Sequence, residues 1–150
     1  MKQQFQASLG YLADTRTPKG IGVFASQDIA ADQVVEIAPV MQLKSNYDEL
    51  PEQLQLRVFH WTKLAGLDGV HALALGYGSM YNHANPANVR YSACYDGIAI
   101  IFLAARSIRM GEELTINYND AGGDIVSKED NWFTTNGITP HIASERGDGA

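Results

Sequence analysis

Tyr81-Asn82-His83-Ala84-Asn85-Pro86-Ala87-Asn88 and Gly111-Glu112-Glu113-Leu114-Thr115-Ile116-Asn117-Tyr118 are the stretches on which the reading of this chain turns. Taken alone, an Asn-His pair is usually a turn whose side chains bond nearby backbone. A tyrosine that ends a strand-like run is usually held by its ring. A third stretch, Lys19-Gly20-Ile21-Gly22-Val23-Phe24-Ala25, is by itself a Gly-rich turn entering a strand. It is not the dinucleotide fingerprint, because no third glycine follows at the required spacing and no helix begins there. The information lies in the combination, since separated motifs in a fixed order arise by chance far less often than any one of them.

Outward from these motifs the chain reads as short strands. Residues 5–12, 21–26 and 33–43 are strand-like, with Gly, Pro and Asp-rich breaks between them, and Val34, Val35, Ile37 and Val40 make the last run strongly β-branched. One clear helix is expected over residues 51–63, with Pro51 in its first turn and Leu54, Val58 and Trp61 on one buried stripe. Residues 67–75 fit helix or strand. Asp96-Gly97 between two strand-like runs, 89–95 and 98–104, predicts a hairpin with a two-residue turn. Residues 113–118 form another short strand. From Asn119 onward Gly, Asp, Asn and Ser dominate, Trp132-Phe133 stands as an isolated aromatic pair, and residues 138–150 read as a flexible tail behind a domain at 1–137. Many short strands without alternating long helices argue for a mainly β fold.

Composition narrows the function. With 150 residues, 45% of them hydrophobic, the chain can bury a core without metals or disulfides. Cys94 is the only cysteine, so there is no thiolate cluster for structural zinc, and His60, His71 and His141 lack metal-like spacing and read as structural or solvent-facing. No metal is expected. A net charge of −6 suits a cationic partner such as a lysine-rich segment and disfavours direct nucleic-acid binding. No stretch reaches the roughly 18 apolar residues of a membrane span, and the first residues lack the apolar core of a signal peptide, so a cytoplasmic or nuclear site is the default.

The three motifs together resemble the SET domain, the β-clip fold of protein-lysine methyltransferases, with a pseudoknot-like C-terminal segment. The likeness spans about residues 11–119. It is similar to the minimal stand-alone SET proteins of viruses and bacteria, including the run Leu73-Ala74-Leu75-Gly76-Tyr77-Gly78. The resemblance implies S-adenosylmethionine as cofactor, contacted by Lys19, Gly20, Ile21 and Gly22 and by Asn82 and His83, with Tyr118 as the catalytic residue. Asn82, His83 and Asn88 keep the family spacing. Ala84 stands for the usual Ser, Asn85 for Cys, Pro86 sits one place early, and Asn117 replaces the Asp before the tyrosine.

A lysine amine attacks only when neutral, and its ordinary pKa is roughly 10.4, so a dry aromatic channel beside a sulfonium must favour proton loss. Tyr77, Tyr91 and Phe133 are candidates for that channel. Each is equally a candidate core aromatic. Ile116 occupies the place where the family often has an aromatic residue that limits methylation, which hints at room for di- or trimethylation. Many SET methyltransferases complete the site with a C-terminal zinc-bound cysteine module, which the single Cys94 cannot supply, and Trp132 and Phe133 either anchor the tail or close the site in its place. Glu112 and Glu113 read as a solvated charge pair. The resemblance implies a protein substrate with an exposed lysine, a histone tail being one candidate, and a homodimer as one assembly, with apolar surface around the helix as an interface. The competing readings are a non-catalytic SET-like module that binds a partner or cofactor, and a β-clip protein for another small ligand.

Overall fold

The computed structural model describes residues 4–119 and 122–123. The expected boundary near residue 138, the tail behind it and the Trp132-Phe133 pair lie outside them. Among the described residues nine strands build two sheets: β1 (Gly10–Asp14), β2 (Ile21–Ala25), β3 (Val34–Leu43), β4 (Phe59–His60), β5 (His71–Ala74), β6 (Asn82–His83), β7 (Val89–Cys94), β8 (Ala99–Ala104) and β9 (Glu113–Ile116). The first sheet runs β1-β2-β9-β6 and the second β4-β5-β3-β8-β7. The mainly β expectation holds. The first expected strand, over residues 5–12, is displaced: Gln6 bridges Ile37 and Leu9 bonds the Val35 carbonyl, but the regular strand starts only at Gly10.

Strand β3 organises the larger sheet, and its single proline shows how. Residues up to Pro39 pair with β8, whereas Val40 to Leu43 pair with β5 on the other side. Pro39 has no N–H to give, and it sits where the ladder passes from one partner to the other. The expected hairpin is present. β7 and β8 pair from Val89↔Ala104 to Cys94↔Ala99, in the register a two-residue turn at Asp96-Gly97 demands. Both turn residues have positive φ, 55° and 84°, as a type I′ turn requires. Tyr95 also turns to φ 51°, so the ladder stops one pair earlier than expected.

The expected helix over residues 51–63 is corrected. It is two short helices, α1 (Glu52–Gln55) and α2 (Trp61–Ala65), separated by β4. Val58 and Trp61 are buried, as the periodicity required, and Leu54 is half-buried, but Phe59 and His60 pair with Ala72 and His71 of β5. Phe59 packs edge-on against Tyr91 and Phe102, at 5.3 and 6.3 Å. Trp61 donates its indole N–H to the Gly97 carbonyl at 2.9 Å. These long-range contacts outweigh helical continuation, which over so short a segment offers little. Burying side chains the size of Phe102 contributes about 1.5–3 kcal/mol each. The core around Phe102 and Trp61 runs through Val23, Val35, Ile100, Leu114 and Ile116, joining both sheets.

The motifs meet at β9. It pairs antiparallel with β2 on one side and parallel with β6 on the other. The loop after β6 then grips it through Asn88, whose Nδ2 donates to the Glu113 carbonyl and whose Oδ1 accepts the Thr115 N–H, both at 2.8 Å. Strand β9 is thereby held between β2 and the earlier Asn-His segment, a crossing in keeping with the pseudoknot-like segment expected from sequence.

Candidate active site

The turn between β1 and β2 is built by its own side chains. Thr15 bonds Gly20 through both its N–H and its hydroxyl, and Asp14 accepts the Arg16 N–H. The turn delivers Lys19 across to β6, where its ammonium donates to the His83 carbonyl at 2.9 Å. Gly22 lies flat against the crossing. A Cβ there would stand 2.6 Å from Glu113 Oε2 and 3.0 Å from Asn82 Nδ2, so only glycine lets β2 approach this closely.

Asn82 and His83 face opposite partners. The Asn82 amide donates to the Ile21 carbonyl at 3.1 Å and to Glu113 Oε2 at 2.8 Å, tying β6 to the turn and to β9. Glu113 is therefore not the solvated residue expected from sequence but a structural acceptor; the Glu112 side chain instead takes the Arg109 N–H and pairs with Arg106. His83 Nδ1 accepts the Tyr118 N–H at 3.1 Å, which places the proton of the neutral ring on Nε2. Burial, aided by the Lys19 ammonium, lowers the His83 pKa to about 4, so the ring is neutral at physiological pH.

Tyr118 is fixed at both ends. Its ring lies 5.2 Å from that of His83, and its hydroxyl donates to the Tyr81 carbonyl at 3.1 Å. Burial raises its pKa, with Glu113 adding and Arg57 opposing, so the phenol stays protonated at neutral pH. A neutral, directed hydroxyl can orient a reacting amine and methyl group without itself exchanging a proton.

The sequence profile of the SET domain matches residues 20–119 of this chain. The chain belongs to the SET-domain family. That family comprises protein-lysine methyltransferases that use S-adenosylmethionine as methyl donor. A Schizosaccharomyces pombe protein named histone-lysine N-methyltransferase, H3 lysine-37 specific, is 33% identical over 127 residues, covering 85% of this chain and 82% of its own length. Among solved structures, a candidate histone methyltransferase of Plasmodium falciparum superimposes with a TM-score of 0.59 at 24% identity, covering 75% of this chain and 94% of that one. A Polycomb Repressive Complex 2 of Chaetomium thermophilum, solved as a humanized mutant with an inhibitor, gives a TM-score of 0.61 at 25% identity, covering 77% of this chain and 15% of that chain.

Within this SET domain the residues singled out from sequence fall into groups. Lys19, Ile21, Gly22, Asn82, His83 and Tyr118 converge through the bonds above, and Gly20 holds the turn open at φ 76° with no atom within 4 Å of where a Cβ would stand. Tyr91 is a buried aromatic beside the site. Its hydroxyl donates to the Asn117 carbonyl at 2.8 Å, one residue before Tyr118. Ile116 is 1% exposed and packs into the core while pairing with His83. Tyr77 is half-buried and gives its backbone N–H to Glu36. Phe133 lies outside the described residues. Sequence reasoning missed Glu36, a buried carboxylate inside the apolar run Val34-Val35-Glu36-Ile37. A lone charge at the centre of a strand with both flanks apolar was the available signal.

Proposed function

We propose that this methyltransferase modifies a lysine of a histone tail, with Tyr118 orienting the reacting groups, residues 19–22 with Asn82 and His83 holding the cofactor, and Tyr77 and Tyr91 bordering the lysine channel. One observation carries the reading: motifs about sixty and a hundred residues from the first turn close on one point, where Tyr118 is bonded to Tyr81 by its hydroxyl and to His83 by its N–H. The donor set fits the cofactor. Lys19 is a cation suited to a carboxylate, Gly20 leaves clear space where a side chain would otherwise stand, and burial keeps the His83 ring neutral. When bound, S-adenosylmethionine supplies an electrophilic methyl group on a sulfonium.

The chain's own residues then have distinct work. Tyr118 fixes direction, since its hydroxyl hydrogen is committed to the Tyr81 carbonyl. Tyr91 and Ile116 keep water from the inner side, which favours the neutral lysine amine over its ammonium form. The yeast relative, named for a histone lysine, supports a histone substrate, and with it a nuclear site of action. Assembly as a homodimer is a separate proposal that light scattering of the purified chain decides.

The test is transfer of labelled methyl from S-adenosylmethionine to histones and to a cell lysate. Wild type is expected to label lysine, and Tyr118→Phe to lower the rate on the order of a hundredfold with little change in melting temperature. Tight cofactor binding without transfer to either pool would favour a non-catalytic module, whereas absence of both binding and transfer would sink the proposal.

A further inference from the structure

Glu36 is a carboxylate with no apparent business inside β3. It is 2% exposed and faces the loop that leads into the Asn-His segment. Oε2 accepts the Tyr77 N–H at 3.0 Å, and Oε1 accepts the Tyr81 hydroxyl at 2.8 Å. That hydroxyl also meets Ser8 Oγ at 2.8 Å. Gly76, at φ 61°, wraps the carboxylate so tightly that a Cβ there would lie 2.5 Å from Oε2. Desolvation raises the Glu36 pKa, and the bonds from Tyr81 and Tyr77 oppose that rise. An apolar residue would suit this strand and cost less to bury, so the carboxylate needs another justification.

The justification lies at the other end of Tyr81. Its ring is fully buried against Phe102, with centroids 4.8 Å apart, and its backbone carbonyl accepts the Tyr118 hydroxyl. The residue that aims Tyr118 is thus clamped by Glu36 at its side-chain tip and through Tyr77 at the start of the same loop. We propose that Glu36 is a positioning residue for methyl transfer, setting the place of the Tyr118 hydroxyl through Tyr81 and the loop at residues 76–81. This rests on the reading of Tyr118 given above. What matters is the reach of the carboxylate rather than its charge.

Reach and charge separate cleanly by substitution. Glu36→Asp keeps the charge but withdraws the acceptor by one methylene from Tyr81. Glu36→Gln keeps the reach and loses the charge; the Tyr81 hydroxyl can then turn its hydrogen to Ser8 and accept from the new amide. Tyr81→Phe cuts the link while leaving the ring on Phe102 and the carbonyl in place, and is the mildest test of the fold. Glu36→Asp and Tyr81→Phe are expected to lower kcat about tenfold or more, with KM and cofactor dissociation constant within about twofold of wild type, and Glu36→Gln to lose less than Glu36→Asp.

A second readout needs no turnover. In protein labelled with 3-fluorotyrosine, the fluorine resonance of Tyr118, identified by its absence in Tyr118→Phe, should shift in Glu36→Asp and in Tyr81→Phe. Lower melting temperatures with an unmoved resonance and unchanged kcat per folded enzyme would make Glu36 a purely structural residue and overturn the proposal. A larger loss in Glu36→Gln than in Glu36→Asp would overturn it in favour of a charge effect. Should wild type transfer methyl to no substrate, the reading of Tyr118 as catalytic fails, and the resonance alone still decides whether Glu36 places that tyrosine.

Discussion

The crossing around β9 and the insert at residues 44–70 are held by different balances of distant and local bonds. At the crossing, buried polar side chains bond backbone of segments far away in sequence: Asn82 reaches Ile21, Asn88 reaches Glu113 and Thr115, and His83 receives Tyr118. In the insert the polar bonds are mostly local. Gln55 Nε2 donates to the Tyr47 and Leu50 carbonyls, each at 3.0 Å, and the Tyr47 hydroxyl returns to Gln55. Its anchors to the rest of the molecule are few and mixed: β4 on β5, Arg57 on the Ser79 carbonyl, His71 Nδ1 against the Ser45 carbonyl, the Tyr47 ring against His71, and Trp61 on the Gly97 carbonyl. The difference teaches where geometry is exact in its demands. Directional bonds to distant backbone fix atoms to a few tenths of an ångström, whereas ring packing and local turns tolerate displacement. The crossing is therefore the better place to aim one hydroxyl, as the proposed role of Tyr118 requires.

The largest effect expected from this contrast is at Asn88. Its truncation to alanine leaves the buried Thr115 N–H and Glu113 carbonyl without that partner, at a cost of roughly 2–4 kcal/mol, read as a lowered urea midpoint at unchanged slope. An intermediate effect is carried by pH at His83. Its folded pKa of about 4 lies below the ordinary 6.5, so the unfolded chain binds the extra proton between those values. Stability from this group is present above pH 6.5 and is lost as pH falls toward about 4. His83→Asn keeps an acceptor for the Tyr118 N–H and should flatten the stability profile across that window in acid-titrated denaturation curves. The smallest effect is at Gln55, where alanine should cost only about 1 kcal/mol, seen as a small drop in the same urea midpoint. Equal costs at Gln55 and Asn88 would break the comparison; a Gln55→Ala variant with unaltered transfer rate would sharpen it.

Legibility follows the same division. The hairpin at Asp96-Gly97 was readable because type I′ geometry depends on two adjacent residues, and both have the positive φ that the pair favours. Asn82, His83, Gly22 and Tyr118 stood out in the sequence through residue type and spacing alone, and the structure brings them together at the crossing. The helix at 51–63 was misread because its stripe of Leu54, Val58 and Trp61 is real in burial yet compatible with a bend. A periodic pattern reports which side faces the core, and Phe59-His60 turned that side into a strand by pairing with β5. Glu113 was misread for a related reason. Adjacent glutamates look alike in sequence, and only the proximity of Asn82 makes one of them, half-buried, an acceptor for a distant segment.

By itself the amino-acid order determined a mainly β chain, the location of its tight turns, and the motif residues that mark a SET domain, because each of these depends on local dihedral preference or on residue type at short spacing. Tertiary structure alone decided that β3 hands its ladder from β8 to β5 at Pro39, that the insert breaks between its helices, and that Glu36 stands behind Tyr81 and so behind Tyr118. Those outcomes rest on which distant backbone donors and acceptors find each other once the core closes. Buried polar groups must be paired, and the pairing is settled by the whole fold rather than by any segment of it.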